Sequence, residues 1–236
     1  MFPFFLYPCL FHFFLKAKGI IFDFNGTLFF DTHFHEQAWK EISARMGLRI
    51  LTGKEIRENI LGQTNQGIVE FLLGRKANKY EIETIGLEKE KLYRQICSNQ
   101  PILNLSPGAT DFLDFLKRNQ TPITIATSSG MDNLEFFISK FGLSRWFDTS
   151  KIVFDDGSFL GKPEPGIYLR AANTIGLSPQ DCIVFEDALS GILAASRAKI
   201  GKIIAIGSAG INHAIKKQGI ADQIIPDFLN FDTNLL

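Results

Sequence analysis

Short apolar runs alternate with longer amphipathic stretches along the chain. Four runs, KGIIFDF (18–24), PITIAT (122–127), DCIVFED (181–187) and GKIIAIG (201–207), are rich in Ile, Val and Phe. Short continuous runs of this kind suit strands buried on both faces, as in parallel sheets. The stretches GATDFLDFLKRN (108–119), MDNLEFFISKFG (131–142), PGIYLRAANTIG (165–176) and ALSGILAASRA (188–198) place apolar residues near a spacing of 3.6, and most stop at Gly or Asn. They are predicted helices. Strand and helix in alternation predict βαβ units and an α/β, doubly wound parallel sheet.

One region breaks that rhythm. Residues 33–99 carry no strand pattern, only helical ones such as HEQAWKEISARMG (35–47) and EIETIGLEKEKLYRQIC (81–97). Such a length is too great for a loop. The expected division is a core of residues 18–32 and 101–236 and an inserted helical cap of residues 33–100. Ligands of open α/β sheets sit beyond the carboxyl ends of the strands. A lobe inserted there covers that position and is expected to act as a lid. Residues 1–17 form an aromatic apolar leader, too short for a membrane span and broken by Pro3 and Pro8. A poorly ordered leader is expected, with no membrane partner.

Composition changes little in this picture. Of 236 residues, 45% are hydrophobic and 21% charged, which is ordinary for a globular chain. Lys+Arg and Asp+Glu both number 25, so no basic surplus points to nucleic acid. Cys9, Cys97 and Cys182 are odd in number and lack metal-ligand spacing. Free thiols in a reducing, cytoplasmic setting are expected.

Candidate chemistry collects at the strand ends. Asp23 and Asn25 follow the first run, Thr127, Ser128 and Ser129 the second. Lys162 lies in GKPEP, and Glu186 and Asp187 close the run at 181–187. A carboxylate that can attack, hydroxyls and turn amides, one ammonium and two further carboxylates make the inventory of phosphoryl transfer. Mg²⁺ takes a few carboxylate oxygens beside phosphate and water. Each residue alone has a plainer reading, as a helix cap or a turn. Their attachment to successive strands argues for a site. GSFLGKP (157–163) only imitates a phosphate-binding loop, because Pro163 stands where Ser or Thr would bind a metal. Asp155 and Asp156 are read as a solvated turn.

With those motifs in view, the chain resembles the haloacid dehalogenase (HAD) superfamily, in its helical-cap branch typified by β-phosphoglucomutase and phosphoglycolate phosphatase. DFNGT (23–27), TIATSS (124–129), GKPEPGIY (161–168) and VFEDALSGILAA (184–195) resemble its four motifs. The resemblance implies a Rossmann-like core and an aspartyl-phosphate mechanism. It makes Asp23 the nucleophile, Thr127 the phosphoryl-binding hydroxyl with Ser128 beside it, and Lys162 the charge partner of both. It assigns Asp23, the main-chain carbonyl of Asn25, Asp187 and Glu186 to Mg²⁺.

Asn25 stands where such proteins carry a second Asp, the general acid and base. An amide has no titrating proton, and general acid–base help is worth about 10²–10⁴-fold. Slow turnover is therefore expected unless another group, with His35 as the candidate, moves the proton. Asn65, in LGQTNQG (61–67), falls where relatives place a lid cation, and Arg75 is a possible replacement. The implied function is a Mg²⁺-dependent phosphohydrolase of a small phosphorylated metabolite, sugar phosphate or phosphoglycolate-like. A sugar-phosphate mutase and a non-catalytic phosphoester binder are the alternatives, and a monomer is expected.

Overall fold

In a computed structural model, residues 18–60, 63–207, 215–216, 218–229 and 231–233 are described. The leader, residues 1–17, and Gly62 lie outside them. Five parallel strands form one sheet: β1 (Gly19–Phe22), β2 (Ile123–Ile125), β3 (Cys182–Glu186), β4 (Lys202–Ile206) and β5 (Gln223–Ile225). Their spatial order is β2-β1-β3-β4-β5. The chain therefore leaves β1 toward one edge and crosses back to build the other half. This is the expected doubly wound α/β fold. Its switch point, where such sheets bind ligands, lies between β1 and β3.

The four apolar runs became β1 to β4 because each is buried on both faces. Every residue of β1 and β3 is buried. The strand β5 went unread, since three residues, QII, carry too little periodicity. Between β1 and β2 lie α1 (Thr32–Arg45), α2 (Gly53–Asn59), α3 (Asn65–Leu73) and α4 (Lys79–Ser98), followed by α5 (Ala109–Arg118). Capping boxes start α2 at Thr52 with Glu55 and α4 at Asn78 with Glu81, so these starts satisfy their own orphan backbone donors. Further helices are α6 (Met131–Phe141), α7 (Gly166–Thr174) and α8 (Leu189–Arg197). No helix among the described residues is long and apolar enough to cross a membrane.

An aromatic cluster underlies the switch point. Phe22 of β1 stacks on Phe185 of β3 with ring centroids 5.3 Å apart. Phe112 packs edge-on against both rings, and Phe228 joins them from beyond β5. Burying each such ring stabilises the fold by about 1.5–3 kcal/mol. Cys97 and Cys182 are buried free thiols; Cys9 lies outside the described residues.

Candidate active site

Parallel pairing decides what meets at the switch point. Phe22 pairs with Phe185, and Asp23 N–H donates to the Phe185 carbonyl at 2.9 Å. The next residue on each strand, Asp23 and Glu186, therefore emerges beside the other. Asp187 follows at once. Ligand oxygens of Asp23, Glu186 and Asp187 all lie within 4.8 Å of one another, and among the described residues no other such group of acidic, His or Cys side chains occurs. Asp156 instead pairs with Arg170 at 3.0 Å. Asp155 lines the cleft and accepts the Gly157 N–H within its own turn.

Lys162 enters from the GKPEP loop. Its Nζ donates to Asp23 Oδ1 at 2.6 Å and to Glu186 Oε1 at 3.1 Å. The loop is tied down by Arg197, which donates to the Pro163 carbonyl at 3.0 Å and to Glu164 at 2.8 Å. The Tyr168 ring lies 5.2 Å from the ammonium. Three carboxylates thus share one buried cation. Burial and the neighbouring Asp23 push the Glu186 carboxyl up from 4.5 to about 8, and burial likewise raises Asp23 and Asp187. Hard oxygen donors with uncompensated charge fit a divalent cation of the Mg²⁺ class.

The sign of a metal-free pH effect follows. The unfolded Glu186 titrates near 4.5 and the folded one near 8, so the folded state holds the extra proton between those values. Stability present below about pH 4.5 should be lost as pH rises through about 8. The rise in melting temperature on adding Mg²⁺ should accordingly be larger near pH 8.5 than near pH 6. An increment that does not change with pH would refute the shared-cation account.

Two glycines allow this crowding. Gly26 adopts φ +80, and a Cβ there would lie 2.1 Å from Asp187 Oδ2. A Cβ on Gly191 would lie 1.6 Å from Glu186 Oε1. Gly191→Ala must displace Glu186 and, through it, Lys162. Displacements of about 1 Å near reacting groups cost roughly 10²-fold. Turnover in Gly191→Ala should fall by about that factor, as steady-state phosphate release would measure; unchanged turnover would mean that Glu186 is not part of the machinery.

On the β2 side, Thr127 N–H donates to the Val153 carbonyl at 3.0 Å, which fixes the turn. Thr127 Oγ1 lies 3.4 Å from Asn25 Oδ1, and Ser129 Oγ donates to the same oxygen at 2.8 Å. Ser128 lines the cleft with Ser129. The Asn25 Nδ2 group points the other way and donates to Asp31 Oδ2 at 2.6 Å.

Asp31 is the group that local sequence reading missed. It precedes α1 as a helix cap, yet its side chain caps nothing. Its Oδ1 accepts the Gly26 N–H at 3.1 Å. Its Oδ2 also accepts the Tyr93 hydroxyl and pairs with His35 Nε2 at 3.2 Å. Burial opposes ionisation of Asp31, but His35, Tyr93 and Asn25 outweigh it and hold the carboxyl below its usual range. The second nitrogen of His35 faces Lys89 Nζ at 2.7 Å. An ammonium only donates, so Nδ1 accepts and the ring proton sits on Nε2, toward Asp31. Both nitrogens of His35 are engaged. Lys89 also contacts Glu90 at 2.8 Å, and Glu90 accepts from Asn133 of α6 at 2.8 Å. A signal for Lys89 existed: it shares the buried stripe of α4 with Ile85, Leu92, Tyr93 and Ile96.

Asn65 opens α3 and lines the cleft with Gln63, Thr64 and Gln66. Arg75 does not line it; it pairs with Glu81 at the start of α4. The cleft, of ≈ 840 Å³, runs from these amides to the carboxylates at the switch point.

A family model for haloacid dehalogenase-like hydrolases matches residues 17–199. The chain belongs to the haloacid dehalogenase-like hydrolases. A crystal structure of an HAD hydrolase, family IA, variant 3, from Entamoeba histolytica is 36% identical, covers 92% of this chain and 96% of that one, and superposes with a TM-score of 0.87. The hexitol phosphatase A of Escherichia coli is 31% identical over 76% of this chain and 78% of the relative. A probable pseudouridine-5'-phosphatase of Drosophila melanogaster is 31% identical over 78% and 79%. The expected class, an HAD-like phosphatase, holds with the family.

Proposed function

We propose that this HAD-like enzyme is a Mg²⁺-dependent phosphatase of small, neutral sugar or polyol monophosphates, working through a phosphorylated Asp23. The observation that carries this reading is the convergence at the switch point: Lys162 Nζ stands 2.6 Å from Asp23 Oδ1, with Glu186 and Asp187 beside them. A carboxylate oxygen held there attacks phosphorus, and the alkoxide leaves. Lys162 offsets charge on the phosphoryl oxygens. Thr127 and Ser128, at the end of β2, would hold the same oxygens. Asp23, Glu186, Asp187 and the Asn25 carbonyl would hold the cation, which supplies further charge neutralisation for the phosphoryl group. Water then releases phosphate from Asp23.

Substrate preference follows from the far end of the cleft. Gln63, Thr64, Asn65, Gln66 and Asn133 line it, and Lys162 is the sole Lys or Arg among its described lining residues. The nearby Lys89 is buried and already paired with Glu90. A second phosphate or a carboxylate needs a cation there; hydroxyls need only amides. This favours neutral leaving groups over phosphoglycolate and over the bisphosphates that a mutase cycles. Residues 33–100 act as the lid, with Asn65 at its contact edge. The test is phosphate release, with and without Mg²⁺, from hexose, pentose and hexitol monophosphates against phosphoglycolate and a hexose bisphosphate. A preference for phosphoglycolate or the bisphosphate would overturn the substrate assignment.

A further inference from the structure

Asn25 cannot move a proton, yet it is held more firmly than a spectator would be. Its Nδ2 and Oδ1 are not interchangeable here. Asp31 accepts from the Gly26 N–H and the Tyr93 hydroxyl, so the amide turns its NH₂ toward Asp31 as a further donor. The carbonyl oxygen then faces Thr127 and Ser129. Asp31 is itself crowded. Asn25, Tyr93 and His35 converge on its Oδ2, while its Oδ1 accepts the Gly26 N–H. The oxygen that faces Asn25 therefore has no free acceptor position with which to take a substrate proton. The chemistry of Asp31 is orientation.

Resting on the aspartyl-phosphate reading above, we propose that Asp31 is a positioning residue which, with Tyr93, locks the Asn25 amide so that its carbonyl orients the water that attacks phosphorylated Asp23. Ser129 occupies one acceptor position of that carbonyl at 2.8 Å; the contact from Thr127, at 3.4 Å, is long. An entering water replaces the longer contact with a hydrogen bond of ordinary length. In the step itself the water oxygen bonds to phosphorus as the Asp23–phosphorus bond breaks. The electron pair returns to the Asp23 carboxylate. The water proton ends on an oxygen of the departing phosphate, and none passes to Asn25. Orientation of water by a side-chain amide, without a base, is known chemistry in phosphoryl transfer.

Rapid-quench kinetics with p-nitrophenyl phosphate and Mg²⁺ separate the two half-reactions on the full chain. Nitrophenol release reports phosphorylation of Asp23, and a chase reports decay of the phosphoenzyme. Asp31→Asn should leave phosphorylation within about threefold of wild type and slow phosphoenzyme decay roughly 10²-fold. Tyr93→Phe removes one hydroxyl and keeps the buried ring. It should show the same split with a smaller loss, about tenfold, and it decides the matter if Asp31→Asn does not fold. Asn25→Asp puts two carboxylates in contact and should lower the melting temperature. Adding Asp31→Asn to that variant should restore it, because the pair again holds one carboxylate and one amide. Equal losses in both half-reactions, or unchanged decay in a folded variant, would overturn the positioning role. If wild type forms no phosphoenzyme, or Asp23→Asn remains active, the underlying reading fails instead.

Discussion

Asp23→Asn should abolish phosphate release, by roughly 10⁴-fold or more, because it removes the carboxylate that would form the covalent intermediate. The substitution keeps size and removes the attacking charge. Lys162 then faces an amide and Glu186, so one carboxylate partner remains and the fold should survive. Retained near-native melting with no phosphoenzyme on acid quench is the expected pair of results. Activity within tenfold of wild type would exclude Asp23 as nucleophile.

Lys162→Met tests the opposite charge. Truncating one partner of a buried ion pair strands the other, at a cost of about 3–5 kcal/mol. Here the stranded groups are Asp23 and Glu186, with Asp187 beside them. Turnover should fall about 10²–10³-fold, since the ammonium no longer offsets phosphoryl charge. The carboxylates lose their one built-in cation, so the stabilisation by Mg²⁺ should persist or grow. Lost turnover with increased thermal protection by Mg²⁺ would separate Lys162 from a metal-binding role. Loss of both together would show that Lys162 acts mainly by shaping the carboxylate cluster.

Much of this site was legible in the sequence because the fold rule is strong. Apolar runs buried on both faces become adjacent parallel strands, and polar residues just past their ends must meet. That logic brought Asp23, Lys162, Glu186 and Asp187 within reach of one another, with Thr127 beside Asn25. It stopped at groups whose partners are distant in sequence. Asp31 reads locally as a helix cap, and its hydrogen bond from Tyr93 spans 62 residues. Lys89 sits in an apolar stripe, an anomaly that periodicity exposes, but periodicity does not say which helix lies opposite. The separate helices α2 and α3 were hidden for a plainer reason: they are 7 and 9 residues long, too short for a firm pattern. The meaning of Asn25 was hidden for the same reason as Asp31. An amide in place of an acid looks like a loss until the neighbour that aligns it is seen.

The rings beneath the switch point carry a consequence for mutational tolerance. Phe22 and Phe185 are stacked, and each is bonded in sequence to one member of the Asp23–Glu186 pair. The gap between those two acids is set by the pairing of β1 with β3, and the rings packed beneath help to hold that pairing. Shaving either ring would leave a void that its surroundings fill only in part, and the gauge of the reacting groups would shift with it. Damage far from any substrate would then surface as impaired chemistry at temperatures where the protein is still fully folded.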